Sequence, residues 1–229
     1  MTESQPHDAA TDLLIKEVDT ELRQERMAQL WRRHGPLLAG AGIALILGVA
    51  GWLGWRAWDG QRRQEASRDF TAIAASLDQG KRDEAIAELA RLSGAAPTGY
   101  RLLATMRLAD LRQQQGDTAA AAALYQGLAK DQAIESAYRE MATIRLGYLT
   151  LDSANLAELT RQIEPLAAEA SPWRHSAREI LGLLALRQGD QARAIEWFGR
   201  IAEDAAAPEG LRSRAAEMRA AVSPAAGQG

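Results

Sequence analysis

The chain has 229 residues, with 27 Lys and Arg against 30 Asp and Glu, a formal charge of −3, and no cysteine. Near-neutrality at this size removes the basic footprint that nucleic acid demands, and the missing thiols exclude disulfides and cysteine chemistry while leaving an oxidising or a reducing compartment open. Aromatics make up only 5% and alanine is abundant, which suits closely packed helices over a sheet, because strands favour β-branched and aromatic side chains.

Residues 1–35 read as a short charged tail, partly helical and cytoplasmic. Leu14, Val18 and Leu22 make a narrow stripe, extended loosely by Met27 and Leu30, which fits either a helix resting on a membrane or a cytoplasmic partner contact. From Pro36 to Trp55, 20 consecutive residues carry no charge; at about 1.5 Å per helical residue they span roughly 30 Å, the thickness of a bilayer's hydrocarbon. A single membrane-spanning helix over 36–58 follows. A cleaved signal would place a core of about 7 to 15 residues near the start, whereas this core begins at Pro36 and is followed by Trp55-Arg56-Ala57-Trp58. Trp31, Trp52, Trp55 and Trp58 flank or end the run, where indole rings favour the headgroup zone. Gly40, Ala44 and Gly48 are spaced by four, and Ala50 and Gly54 repeat the spacing, a candidate docking face for another membrane helix. Arginines are balanced on the two sides of the span, and only the tight Arg32-Arg33-His34 cluster favours a cytoplasmic N-terminus.

Residues 59–222 contain internal repeats. A glycine is followed five residues later by alanine, then by large residues four and seven positions beyond that: Gly80, Ala85, Leu89, Leu92; Gly116, Ala121, Tyr125, Leu128; Gly189, Ala194, Phe198, Ile201. The spacings imply a further copy between the last two, found in degraded form where Leu159, Ile163 and Leu166 follow a turn at Asp152-Ser153-Ala154. About four helix hairpins of some 36 residues and a C-terminal helix result, with residues 223–229 as a disordered tail. In the first helix of one unit, Tyr100, Leu103, Ala104, Arg107, Leu108 and Leu111 fall on one helical stripe that only an arginine interrupts. Leu146-Gly147 and Leu181-Gly182 stand where Leu108-Ala109 stood, and small residues there let the two helices of a hairpin approach. Pro97, Pro172 and Pro208 mark helix starts, where a missing N–H costs nothing. The fold class is all-α: one N-terminal transmembrane helix, then a helical hairpin solenoid.

Nothing in the sequence assembles a reaction centre. His7, His34 and His175 lie far apart without metal-ligand spacing, and His175 reads as an inert surface residue. Asp83-Glu84 and Glu203-Asp204 read as solvated-face charge. The repeated glycines precede amphipathic helices without a phosphate-binding lysine and hydroxyl. No cofactor, metal or catalytic residue is expected, and the protein is not expected to be an enzyme. Stacked hairpins instead offer an extended concave surface for binding, and a self-associating homo-oligomer is compatible with the same pattern.

Leu181-Gly182, Gly189, Ala194 and Phe198 resemble the tetratricopeptide pattern. The whole layout of charged tail, anchor ending in Gly54-Trp55-Arg56-Ala57-Trp58 and four helical units resembles the YfgM family of bacterial inner-membrane proteins, ancillary subunits of the SecYEG translocon. That resemblance implies a cytoplasmic N-terminus and periplasmic repeats that bind the translocon and periplasmic chaperones such as PpiD. A structural or assembly protein of another envelope complex is the competing class.

Overall fold

The computed structural model describes the backbone from Pro6 to Ser223, and the side chains of Arg32 and of residues 34–223. Among the described residues the fold is all-α, with helices α1 (Pro6–Asp78), α2 (Arg82–Ala95), α3 (Thr98–Gln114), α4 (Thr118–Lys130), α5 (Ser136–Thr150), α6 (Leu156–Ile163), α7 (Arg174–Arg187), α8 (Gln191–Ala202) and α9 (Glu209–Val222), and a 3-10 turn at Glu164–Ala167 between α6 and α7. The chain divides into two compact units, one ending at Gln61 and one beginning at Arg62.

In the first unit the helix passes through Pro36 without a break, and the described tail backbone is helical from Pro6. The side chains of the stripe from Leu14 to Leu30, and that of Trp31, lie outside the described residues. Leu37, Leu38, Ile43, Leu45, Ile46 and Leu47 are all exposed, as are Trp52, Trp55 and Trp58. None of the apolar window is buried against protein, and its length and composition make it a candidate membrane span. A contiguous apolar surface of this extent needs lipid or another protein to cover it. The Arg56 guanidinium lies 5.3 Å from the Trp52 ring centroid, a cation–π contact at the end of the run.

The second unit is a succession of helix hairpins with a core that passes from one to the next. The last part of α1 and α2 form the first hairpin, α3 and α4 the second, α5 and α6 the third, α7 and α8 the fourth, and α9 closes the series. At three of the four hairpin turns a glycine adopts positive φ: Gly80 at 77°, Gly116 at 80° and Gly189 at 75°. Each ends its helix by the same pair of backbone bonds, for example Asp117 N–H to Arg112 O and Gly116 N–H to Gln113 O, both 2.9 Å, a left-handed cap that glycine reaches without a Cβ penalty. The following Asp117 and Asp190 start the next helix, accepting from the backbone N–H of Ala120 and Arg193. The degraded third turn has no such glycine. Leu151–Ala154 makes a longer turn, and Asn155 caps α6 through the Glu158 N–H. Pro97 and Pro208 occupy the N-cap positions of α3 and α9, one residue ahead of the first helical position, and Pro172 precedes the Trp173 N-cap of α7.

Four apolar clusters follow the chain. Ala66 and Ile73 of α1 join α2 and the α3 residues Ala104, Leu108 and Leu111. Leu102 and Ala109 of α3 join Tyr125, Leu128, Ile134 and Ala142. Ile144 of α5 joins Leu159, Ile163 and the α7 residues Ala177, Ile180, Leu181 and Leu184. Ala185 of α7 joins Ala194, Phe198, Ile201, Ala207 and Ala215. The first helices α3, α5 and α7 thus each pack on both the preceding and the following unit, the nearest-neighbour logic of a solenoid. This corrects the single stripe read on α3: Leu103 is 46% exposed, while Leu102 and Ala109, off that stripe, are buried. A helix held between two neighbours buries two faces, and a one-face pattern misassigns the residue between them.

Candidate protein-binding face

The residues singled out for repeat packing are in the interior with one exception. Ala85, Leu89, Leu108, Ala121, Tyr125, Leu181, Ala194 and Phe198 are buried; Gly147 and Gly182 are buried too, and Leu146 is half-buried against the Tyr125 cluster. The two glycines have a steric reason to be glycine. A Cβ on Gly182 would stand 2.7 Å from Phe198 Cε1, and one on Gly147 would stand 3.0 Å from Ile163 Cδ1, so the large residue of the second helix fills the space beside the small residue of the first. In the anchor, by contrast, Cβ atoms on Gly40, Gly48 and Gly54 would meet nothing within 4 Å, and Ala44 and Ala50 are exposed.

Polar links tie successive helices at the flanks of this core. The Tyr125 hydroxyl donates to Asp110 Oδ1 at 2.7 Å, joining α4 to α3; burial first, then the Asp110 carboxylate, pushes its ionisation far above the ordinary phenol range. The Tyr148 hydroxyl donates to Glu179, which accepts from Arg214 Nε at 2.6 Å, so α5, α7 and α9 share one relay. Glu179 is only 7% exposed, and two donors offset the cost of burying its charge. Burial and Glu179 likewise push the Tyr148 phenol upward.

His175 and Asp204 are not the bland surface residues that the sequence suggests. The Nε2–H of His175 donates to Asp204 Oδ2 at 2.8 Å, and the guanidinium groups of Arg174 and Arg178 lie 3.4 and 3.6 Å from the same oxygen. Arg178, 3% exposed, also donates to Glu169 and to Ala167 O. The His175 hydrogen bond, then the Ala206 backbone N–H, hold the Asp204 carboxyl down at about 2. This clasp joins the first turn of α7 to the α8–α9 loop. It presents paired charge rather than a free nucleophile or base, and sequence separations of 26 to 30 residues hid it. Asp83 and Glu84 are exposed in the first turn of α2, where acids favour the helix N-terminus. No group of three metal-binding side chains occurs among the described residues.

Beyond the anchor, the exposed large apolar side chains among the described residues are Leu103, Tyr138 and Tyr148, all on first helices of hairpins. Next to Leu103, one turn on along α3, Arg107 borders a groove of about 210 Å³ whose other walls are Phe70, Ile73, Ala74, Leu77 and Asp78 of α1 and Leu89 of α2. The second-helix side carries a larger groove of about 360 Å³ between α4 and α6, floored by Ala119, Ala122, Ala123 and Leu159 and rimmed by Gln126, Gln162 and Glu158.

Such architecture defines a class: a helical-repeat protein, with a candidate membrane anchor, whose surfaces bind other chains. The chain belongs to the family of the tetratricopeptide repeat-like domain, whose model matches residues 28–219. The match starts ahead of the apolar run, so the candidate span and the repeats fall within one family unit. A search of curated proteins finds no match.

Proposed function

We propose that this protein is a membrane-anchored binding scaffold whose N-terminus is cytoplasmic and whose repeats stand in the periplasm, ancillary to the SecYEG translocon and linking it to periplasmic chaperones such as PpiD. The observation that carries the binding role is the set of first-helix side chains left uncovered: Leu103 on α3, next to the Arg107 groove, and Tyr138 and Tyr148 on α5. Tyrosine and arginine are enriched among the anchoring residues of protein interfaces. The translocon assignment is supported by the layout shared with the YfgM family, and the orientation by Arg32-Arg33-His34 ahead of the span.

Two measurements test it. Alkaline phosphatase fused after Gly229 is expected to be active in cells, and a reporter that fluoresces only in the cytoplasm is expected to be dark there; the reverse removes orientation and secretion role together. Extraction in mild detergent followed by partner identification is expected to recover translocon subunits and a periplasmic chaperone. Recovery of an unrelated envelope complex would support the assembly-protein class instead.

A further inference from the structure

The third hairpin differs from the other three in how its second helix is held. α6 has 8 residues where α2, α4 and α8 have 14, 13 and 12, and it buries only Leu159 and Ile163. Pro165 has no N–H to continue the helical ladder, and the chain tightens into the 3-10 turn at Glu164–Ala167. A helix this short is marginal by itself, so packing has to hold it. The Asn155 cap and the bonds of Glu158 to Arg161 and Gln162 stay within α6 and its cap; among the described residues no side-chain hydrogen bond or ion pair runs from α6 to another helix. Across the groove of about 360 Å³ stand Ala119, Ala122 and Ala123 of α4, too small to reach it.

The helices on either side are joined without α6. Tyr148 of α5 donates to Glu179 of α7, and Arg187 of α7 donates to Leu151 O just after α5. Ile144 and Ile180 share one apolar cluster, and a Cβ on Gly147 would meet Ile180 Cδ1 at 3.1 Å as closely as it meets Ile163 Cδ1 at 3.0 Å. We infer that α6 is a local gate: it opens and recloses as a unit while the α5–α7 seam keeps the array continuous. Each opening uncovers the seat of Ile163 against Gly147 and Ile180 and removes the Leu159 wall of the α4–α6 groove. The other second helices are held more firmly, because local opening is governed by the burial and bonding that it breaks. α2, α4 and α8 each bury three or four residues; α4 adds the Tyr125–Asp110 bond, and α8 seats Phe198 against Gly182.

The chain has no cysteine, so a single introduced thiol reports opening without background. In the full chain in detergent, Ile163→Cys is compared with Ile201→Cys of α8, the same substitution at an equally buried position, by reaction with Ellman's reagent. Ile163→Cys is expected to react at least about tenfold faster, at a rate nearly independent of urea below the global transition, because a local opening exposes little surface. Circular dichroism checks that both variants remain folded. Hydrogen exchange of the unsubstituted chain gives a reading that no substitution disturbs: the amides of Thr160–Ile163 are expected to be protected at least about tenfold less than those of Ile195–Phe198, the matching positions of α8, while α5 and α7 keep their protection. Equal thiol reactivity, a reaction of Ile163→Cys that follows the urea dependence of global unfolding, or equal protection of the two amide sets overturns the gate. Loss of protection in α5 and α7 together with α6 also overturns it, since the whole third unit would then be the part that opens.

Discussion

The anchor and the fourth hairpin use the same small residues to opposite ends. In the anchor, Gly40, Ala44, Gly48 and Gly54 repeat at helical spacing, yet nothing stands within 4 Å of a Cβ built at any of the three glycines. In the hairpin, Gly182 faces Phe198 so closely that a Cβ would overlap its ring, and Ala194 is fully buried. Small-residue spacing is therefore a permission for close approach, and whether it is used depends on a neighbour that brings bulk to the gap. The hairpin carries its own neighbour in sequence; the candidate span has none among the described residues.

The largest effect should come from removing the bulk. Phe198→Ala in a chain starting at Arg62, which contains all four apolar clusters, is expected to cost about 3 to 5 kcal/mol, read as a lowered denaturant midpoint. Gly182→Ala adds one methyl against Phe198 and should cost about 1 to 3 kcal/mol; a neutral result would mean that α7 and α8 sit farther apart than described. Gly116→Ala forces a Cβ into the left-handed region and should cost about 1 to 2 kcal/mol, with hydrogen exchange rising first at the α3–α4 turn.

Acid separates the clasp from the core. The folded Asp204 carboxyl sits at about 2, below its unfolded range near 3.9, so its contribution is complete above that unfolded value and is lost as pH falls toward 2. The stability difference between wild type and Asp204→Asn should be largest above about pH 4 and shrink as pH falls through about 2; a difference independent of pH would remove the ionic account. At the other extreme, replacing exposed Arg193, next to buried Ala194, should change stability by no more than about 0.5 kcal/mol. Ala44→Leu with Gly48→Leu should leave membrane insertion intact while lowering partner recovery from detergent. Unchanged recovery would make the apolar run a tether alone.

What the sequence determined by itself is whatever repeats locally. Gly116 and Gly189 mark turns because only a residue without Cβ adopts their φ cheaply, and the alanine and aromatic positions after them follow from 3.6 residues per turn. The 20 uncharged residues of the candidate span are legible for the same reason, since length and polarity need no partner. Tertiary structure alone decided which face of α3 is buried, leaving Leu103 exposed and Leu102 interior, because a helix between two hairpins answers to both. It also decided that His175 meets Asp204, that Tyr148 reaches Arg214 through Glu179, and that Arg107 borders an apolar groove. These contacts join side chains about 18 to 37 residues apart, and helical periodicity fixes angles within one helix but not the register of one helix against the next.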